Sequence, residues 1–389
     1  MSVEKETTGE FAIATFTCNG AFLSVVLVTG ASGFIASHII KQLLEEGYKV
    51  RSTVRSLKDE EKVKLLRELY SGSKSEVQLV EADLINADSW KEAVKDAKYV
   101  IHVASPFPNT IPSNPDSLLK PAVDGTVNVL KACAESGTVK RVVITSSICA
   151  VYDSSLPIPK ENEETKTFNE ENWTNGEDPH LDVYAKSKLM AEKAAWDYVK
   201  ELPDGKKFEL VAINPGMVFG PLYMNQMGTS VEMVKRLMDR SVPAVAKLSV
   251  NATDVRDVAL AHIRALTVPE AAGKRHLIVT SSVMMKDIAV ILQKEFKPQG
   301  YHIPTMVAPN FFVWMSSLMD KTCRLVVPRL GREYKFENKR MQEILGITPT
   351  ELEKTIIDTA NSLIEKGIVK KPKEKKAKKA KDETDATEG

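Results

Sequence analysis

The segment "VLVTGASGFIASHIIKQLLEEGYKVRSTVRS", residues 26–56, decides the fold of this chain. An apolar run ends in a glycine-rich turn, a helical pattern follows, and a second apolar run ends at Arg55. Gly30 allows a tight turn, Gly33 lets the backbone approach a pyrophosphate, and Ala36 is small enough for the helix to pack closely on the strand. Backbone N–H groups at the start of that helix then face the phosphates. The segment therefore predicts a dinucleotide-binding β-α-β unit.

The residue that ends the second predicted strand selects between the two nicotinamide dinucleotides. A fold specific for NAD carries an acid there, which binds the ribose 2′-hydroxyl. This chain has Arg55 instead, and Lys62 follows in the next helical pattern. A guanidinium stacks on adenine and holds a phosphate through its forked donors, so we predict NADPH as the cofactor. The alternative is that both cations are ordinary surface charges. Asp83, after the third predicted strand, is expected to accept a hydrogen bond from the adenine amine or to be a simple turn residue.

Apolar runs alternate with helical patterns through the first two-thirds of the chain. Such alternation builds a parallel sheet with helices on both faces, and buried parallel strands are continuous apolar runs. The predicted fold class is α/β, a Rossmann-type doubly wound parallel sheet with a smaller C-terminal substrate-binding domain. The predicted strands are residues 25–30, 48–54, 76–83, 99–104, 141–147 and 209–216.

The predicted domain boundaries follow this rhythm, which loosens near Arg275. We expect an N-terminal extension over 1–22 and an NADP-binding Rossmann domain over 23–270. A smaller substrate-binding domain should follow over 271–369, and loops 152–182 and 216–245 should contribute to the substrate side. The remaining residues, 370–389, form a lysine-rich tail that we expect to be disordered.

Composition limits the class of protein. The net charge of +1, with 43% apolar and 27% charged residues, is typical of a globular protein and gives no expectation of nucleic-acid binding. The four cysteines are scattered without CxxC spacing, so we predict neither a metal site nor a disulfide framework. The first ten residues carry one lysine and three glutamates, the wrong charge for a secretory signal. We expect no membrane span and a cytoplasmic location, with a tail that is simply solvated or that touches anionic lipid or RNA.

The chemistry is predicted from a tyrosine and a lysine at the start of a helical pattern. Tyr184 and Lys188 are four residues apart, so they lie on the same face of that helix. A carbonyl reductase needs an acid for the developing alkoxide, and a tyrosine can supply the proton if a nearby ammonium stabilises its phenolate. A serine from the end of the strand "RVVITSS" would complete the pocket. Ser146 and Ser147 point to opposite sides of that strand, so only one can reach the substrate. The alternative for Tyr184 is an ordinary tyrosine at a helix start.

Several motifs together resemble the extended short-chain dehydrogenases. They are "VTGASGFIAS", "VRSTVRS", "HVASPF", "ITSSICAVY", "YAKSK", "INPGMVFGP" and "DVRDVALAHIRAL". More narrowly, the chain resembles the subfamily of dihydroflavonol reductases, cinnamoyl-CoA reductases and fungal aldehyde/ketone reductases, from about Val25 to Val369. The resemblance implies that Ser147, Tyr184 and Lys188 are catalytic and that Arg55 and Lys62 bind the 2′-phosphate. The positions implied to contact the cofactor are Gly30, Ser32, Gly33, Phe34, Ile35, Asp83, Leu84, Val103, Ala104, Ser105, Tyr184, Lys188, Pro215 and Val218.

Departures from the subfamily bear on the substrate. The chain has "LDVYAKSK" where cinnamoyl-CoA reductases have "NWYCYGK", and Tyr152 where dihydroflavonol reductases have an asparagine. We therefore expect neither a thioester nor a flavonoid. The predicted function is NADPH-dependent reduction of a small-molecule aldehyde or ketone by a monomer or homodimer. The alternatives are a 3β-hydroxysteroid-type dehydrogenase working in the oxidative direction and a non-catalytic NADP(H)-binding sensor.

Overall fold

The computed structural model describes residues 24–106, 114–152, 165–179, 181–320, 324 and 326–372. The strands are β1 Val25–Val28, β2 Lys49–Val54, β3 Val77–Glu81, β4 Ala97–His102, β5 Arg141–Thr145, β6 Thr167–Phe168, β7 Glu209–Pro215, β8 Met217–Phe219, β9 Ser249–Asp254, β10 Arg275–Ile278, β11 Ser281–Met284 and β12 Lys335–Phe336. The α-helices are α1 Phe34–Glu45, α2 Glu60–Tyr70, α3 Ser89–Val94, α4 Asp116–Ser136, α5 Val183–Glu201, α6 Thr229–Met238, α7 Val255–Thr267, α8 Met285–Phe296, α9 Asn310–Ser317, α10 Lys339–Glu343 and α11 Leu352–Glu365.

Seven strands form the central sheet in the order β10-β7-β5-β4-β1-β2-β3, and every neighbouring pair is parallel. Side chains alternate between the two faces of the sheet. Val26 and Val28 pack with the layer of α1, α2 and α7, whereas Leu27 packs with the layer of α3, α4 and α5. All three are fully buried, which explains why β1 is an unbroken apolar run. The predicted Rossmann-type doubly wound sheet is confirmed.

The seventh strand, β10, extends the sheet beyond residue 270, where we expected the first domain to end. It pairs with β7 through Arg275↔Ala212 and the three residues that follow. Two of its four residues, Arg275 and His276, are polar and buried. Because these polar residues interrupt the apolar run, the sequence pattern did not predict this strand.

A second layer of structure begins directly after β7. Here β8, β9 and β11 form a three-stranded sheet, in which β8 and β9 are parallel and β11 is antiparallel to β9. Helices α6, α8 and α11 contribute most of a separate apolar core on this sheet, and Phe34 at the start of α1 packs against it. This core therefore lies beside the glycine-rich turn.

The N-terminal extension over 1–22 and almost all of the lysine-rich tail lie outside the described residues. Residues 107–113 lie outside them too, as do residues 153–164 of the predicted substrate-side loop 152–182. Among the described helices, none is long and apolar enough to cross a bilayer.

Candidate active site

The glycine-rich turn connects β1 to α1 in the conformation that the sequence predicts. Gly30 has a positive φ of 79°, and a Cβ there would lie 3.2 Å from the Ala104 side chain. Its N–H donates to the Thr53 hydroxyl over 2.9 Å. Gly33 immediately precedes α1, so the first N–H groups of that helix face out of the turn. The turn thus offers backbone donors without a side chain in the way, which suits the pyrophosphate of a dinucleotide.

A buried pair that we did not predict joins this turn to the end of β4. The Thr29 hydroxyl accepts hydrogen bonds from the N–H groups of Val103, at 3.0 Å, and Ala104, at 2.9 Å. It also lies 3.0 Å from His102 Nδ1. Burial lowers the pKa of His102 to about 3, so the imidazole is neutral and its Nδ1 accepts the hydroxyl proton. Thr29 therefore holds the two central strands in register at the cleft.

Apart from Tyr184 and Lys188 on α5, the positions implied to contact the cofactor lie at or just beyond the carboxyl ends of the strands. Ligands of open α/β sheets bind in the crevice there, where the strand order reverses, and in this sheet the reversal falls between β1 and β4. After β1 come Gly30, Ser32, Gly33, Phe34 and Ile35; after β2, Arg55; after β3, Asp83 and Leu84; after β4, Val103, Ala104 and Ser105; and around the end of β7, Pro215 and Val218.

The two cations predicted to bind a 2′-phosphate both follow the carboxyl end of β2. Arg55 is exposed directly after β2, and Lys62 is in the first turn of α2. Neither forms an ion pair with another described residue. Asp83 forms a local turn in which its Oδ1 accepts from the Ile85 N–H over 3.0 Å. Asp83 is thus a turn residue in the structure, and a hydrogen bond between it and adenine stays a prediction.

The structure brings Ser147, Tyr184 and Lys188 together. Tyr184 is the second residue of α5, and the Ser147 side chain is close enough to its hydroxyl to lower the pKa of the phenol. Lys188 lies one turn further along α5, with its Nζ 5.8 Å from the centre of the Tyr184 ring. The same ammonium donates to the Ser105 hydroxyl over 3.1 Å. Ser105 thus links Lys188 to the end of β4.

The electrostatics of this group differ from the expectation of an acidified phenol. Burial raises the pKa of the Tyr184 hydroxyl above its ordinary value, and the nearby Ser147 hydroxyl opposes that rise only in part. Burial also lowers the pKa of Lys188 to about 8. In the protein alone, therefore, Tyr184 keeps its proton at neutral pH, and desolvation destabilises the Lys188 charge.

The two serines at the end of β5 point in different directions, as the alternation of a strand requires. The Ser146 hydroxyl donates to Glu192 Oε2 over 2.5 Å, away from Tyr184. The Ser147 hydroxyl accepts from the Cys149 N–H over 3.1 Å and faces Tyr184. The geometry thus places Ser147, rather than Ser146, beside the phenol.

A buried polar network lies behind these serines, and we did not predict it. Glu192, on α5, accepts from the Asn214 side chain over 2.8 Å and from Arg275 Nε over 2.6 Å. Asn214 Nδ2 also donates to the Ser147 carbonyl over 3.2 Å. Glu192 lies on the same face of α5 as Tyr184 and Lys188. An acid on this buried face is the feature of the sequence from which the network could have been predicted.

A second charged pair fixes the start of α5. Asp182 precedes the helix, and its Oδ1 accepts from the Ala185 N–H over 2.9 Å. Its Oδ2 accepts from Arg329 Nη2, also over 2.9 Å. Arg329 therefore links the C-terminal segment to the helix that carries Tyr184, and its positive charge lowers the pKa of that phenol, against the larger effect of burial.

Aromatic side chains form one wall beside the candidate catalytic residues. The Tyr152 ring is buried, 4.7 Å from the Tyr334 ring and 6.3 Å from the Phe336 ring. Phe168 belongs to the same cluster, against which Tyr184 packs. Tyr152, which stands where dihydroflavonol reductases have an asparagine, is thus part of an apolar wall.

Comparison with known proteins gives a consistent family. Residues 27–296 match the 3-beta hydroxysteroid dehydrogenase/isomerase family. The chain is 39% identical over 356 residues to cinnamoyl-CoA reductase 1 of Petunia hybrida, covering 90% of this chain and 95% of that protein. It is 36% identical over 357 residues to the NADPH-dependent methylglyoxal reductase GRE2 of Saccharomyces cerevisiae, covering 87% of this chain and 98% of that protein.

Solved structures agree with these relatives. The yeast methylglyoxal/isovaleraldehyde reductase Gre2, complexed with NADPH, superposes with a TM-score of 0.72 at 33% identity, over 88% of this chain and 99% of that one. Gre2 of Candida albicans with NADPH gives a TM-score of 0.71 at 31% identity, over 88% and 99% of the two chains. The resemblance drawn from the motifs is confirmed, and the chain belongs to the 3-beta hydroxysteroid dehydrogenase/isomerase family, among relatives that include cinnamoyl-CoA reductases and Gre2-type aldehyde and ketone reductases.

Proposed function

We propose that this protein is an NADPH-dependent reductase of an aldehyde or ketone. The observation that carries the proposal is the group formed by Ser147, Tyr184 and Lys188 at the carboxyl ends of the strands, on the same edge as the glycine-rich turn. A reductase of this kind needs a dinucleotide site, a proton donor and a group that orients the carbonyl, and residues suited to each of these parts support the proposal. The names of the relatives with high coverage agree with this chemistry.

Each residue has a distinct part in the proposed reaction. NADPH, when bound, supplies a hydride to the carbonyl carbon. The Ser147 hydroxyl orients the carbonyl oxygen, and the Tyr184 hydroxyl gives it the proton that completes the alcohol. Lys188 stabilises the phenolate that remains. Because Tyr184 is protonated in the protein alone, it is in the form that a proton donor requires.

The cofactor would be held by groups along the strand ends. The N–H groups at the start of α1 suit the pyrophosphate, since Gly30 and Gly33 leave the backbone accessible. Arg55 and Lys62, which have no ion-pair partner among the described residues, would bind the 2′-phosphate. Ser105 and Lys188 would lie near the nicotinamide half.

The substrate would bind between the Rossmann sheet and the smaller unit that α6, α8 and α11 form on the sheet of β8, β9 and β11. Aromatic rings of Tyr152 and Tyr334 lie on that side, so an apolar carbonyl compound is favoured over a charged one. The name of the matched family keeps a 3β-hydroxysteroid as the second candidate substrate. We further propose that the protein works in the cytoplasm, as a monomer or homodimer.

One assay tests the proposal. Purified protein is mixed with NADPH and a panel that includes methylglyoxal, isovaleraldehyde, aromatic aldehydes, ketones and cinnamoyl-CoA, and the absorbance of NADPH is followed. Parallel reactions use NADH, or NADP⁺ with a 3β-hydroxysteroid. Turnover of an aldehyde or ketone that is faster with NADPH than with NADH is the expected result. Cofactor binding without turnover of any compound would instead support a sensor, and turnover confined to the steroid would support the dehydrogenase.

A further inference from the structure

Helix α9 presents its apolar residues to solvent. Phe311, Trp314, Met315 and Leu318 follow the i, i+3, i+4, i+7 spacing of one helix face, and they are exposed by 62%, 50%, 43% and 61%. The opposite face, with Val313 and Ser317, is the buried one. A helix on the surface of a globular protein normally has the reverse orientation, so this face is suited to a partner.

The exposed face is continuous. The Phe311 ring lies 6.2 Å from the Trp314 ring, in a stacked arrangement, and 5.8 Å from the ring of Phe312. Before the helix, Met306 is exposed by 71%, and after it Met319 is exposed by 94%. Residues 303–319 contain no charged side chain at all. The surface thus forms an apolar patch built from large, aromatic and sulfur-containing side chains.

Positive charge borders this patch, whereas the nearest acid is neutralised. Arg324 donates to the carbonyls of Ser317, at 2.7 Å, and Leu318, at 3.2 Å, so its guanidinium lies at the C-terminal end of the apolar face. Asp320, the first acid after the patch, pairs with Arg236 over 2.5 Å. Aromatic and aliphatic groups bordered by cations are typical of segments that lie in a lipid headgroup region.

The lysine-rich tail leaves the protein close to the segment that leads into α9. Pro372, the last described residue, packs against Gly300, because a Cβ on Gly300 would lie 3.2 Å from the Pro372 side chain. Residues 366–381 contain nine lysines and one glutamate. Six of these lysines lie in residues 373–381, directly after Pro372. Each lysine near an anionic lipid surface adds to binding.

From these observations we propose that the α9 face and the lysine-rich tail together bind the surface of an anionic membrane. The apolar side chains of α9 would enter the headgroup region, and the tail would contact acidic lipid headgroups. One apolar anchor or one basic segment alone gives weak, reversible attachment, and the two signals together give stable binding. The helix is too short to span a bilayer, so the attachment is peripheral.

Sedimentation with vesicles tests the proposal on the full chain. Wild-type protein should bind vesicles of phosphatidylcholine mixed with phosphatidylserine, bind pure phosphatidylcholine at least about tenfold less, and dissociate as salt is added. The double variant Phe311→Ser/Trp314→Ser should bind the mixed vesicles at least about tenfold more weakly. Leu65→Ser is the matched control, since Leu65 is a helical apolar residue with 47% exposure, on α2. It should bind as wild type does.

A second variant separates the tail from the helix. Replacing the six lysines of 373–381 by glutamine should remove the preference for phosphatidylserine while NADPH turnover without vesicles stays unchanged. The proposal is overturned if wild-type protein ignores the mixed vesicles, or if the lysine variant loses binding and the Phe311/Trp314 variant does not. It is overturned as well if the Phe311/Trp314 variant changes a dimer to a monomer in analytical ultracentrifugation without affecting vesicle binding, because the face would then pair two copies.

Discussion

The Glu192 carboxylate and the Arg275 guanidinium lie 2.6 Å apart, and both side chains are almost completely enclosed. Glu192 belongs to the helix that carries Tyr184, whereas Arg275 begins the last strand of the sheet. Through Asn214, which donates to Glu192 and to the Ser147 carbonyl, the pair also supports the strand end beside the phenol. One buried ion pair therefore joins α5, β10 and the backbone of the candidate catalytic serine.

Breaking this pair should cost far more stability than breaking a surface pair. Arg275→Met leaves the Glu192 charge buried without its partner, so we expect the free energy of unfolding to fall by about 3–5 kcal/mol. The control is Lys294→Met, because Lys294 and Glu353 form a 2.9 Å pair that is largely exposed. That change should leave the free energy of unfolding almost unchanged, because an exposed ion pair contributes little to stability. Urea unfolding measures both, and equal losses would contradict a structural role for the buried pair.

Removing the Tyr184 hydroxyl should separate binding from chemistry. Tyr184→Phe keeps the partly buried ring and removes the proton donor, so we expect turnover to fall by about 10²–10⁴-fold with NADPH affinity unchanged. Fluorescence titration with NADPH and steady-state rates on the best carbonyl substrate give the two values. Tyr70→Phe is a suitable control, since Tyr70 is a buried tyrosine and its hydroxyl donates to the Ala31 carbonyl over 3.3 Å. Turnover retained in the Tyr184 variant would mean that another group supplies the proton.

Sequence patterns predicted those features that repeat along the chain or occur at fixed spacing. The β1 run, the Gly30 turn and the four-residue spacing of Tyr184 and Lys188 are local, and the structure has each of them. Contacts between distant segments have no such pattern. In the sequence, Arg275 interrupts the apolar pattern. Its charge is paired in the structure with Glu192, which lies more than eighty residues earlier in the chain.

The pKa of Tyr184 shows the same limit. The four-residue spacing correctly predicted that Lys188 lies near Tyr184. It could not predict how strongly burial opposes the charged form of each side chain. The structure shows that desolvation is the largest influence on each of them. The extent of burial, rather than the spacing of the two residues, decides whether each pKa is raised or lowered.

Reversing the charge of Arg55 should change the choice of cofactor. Arg55→Glu replaces a donor for the 2′-phosphate by a group that repels it. We expect the KM for NADPH to rise by at least about tenfold, since a hydrogen bond to a charged group contributes about 1.5–3 kcal/mol. The KM for NADH should change little. Arg67→Glu is the control, because Arg67 is an exposed cation near the end of α2. Should NADPH and NADH respond equally to Arg55→Glu, the 2′-phosphate is bound elsewhere.

The stability of the cofactor-free protein should rise with pH because of Lys188. Burial lowers the pKa of its ammonium from 10.5 to about 8. Between those two values the unfolded chain binds more protons than the folded protein, so the free energy of unfolding increases with pH in that range. Lys188→Met removes the group and this dependence. Relative to the variant, wild-type protein should therefore gain about 1 kcal/mol between pH 7 and pH 9.

The measurement is urea unfolding of both proteins at each pH. Lys186→Met, at an exposed position on the same helix, should keep the wild-type slope. If Lys188→Met shows that slope too, the ammonium is not held in a desolvated position, and its proposed effect on the Tyr184 phenolate loses its physical basis.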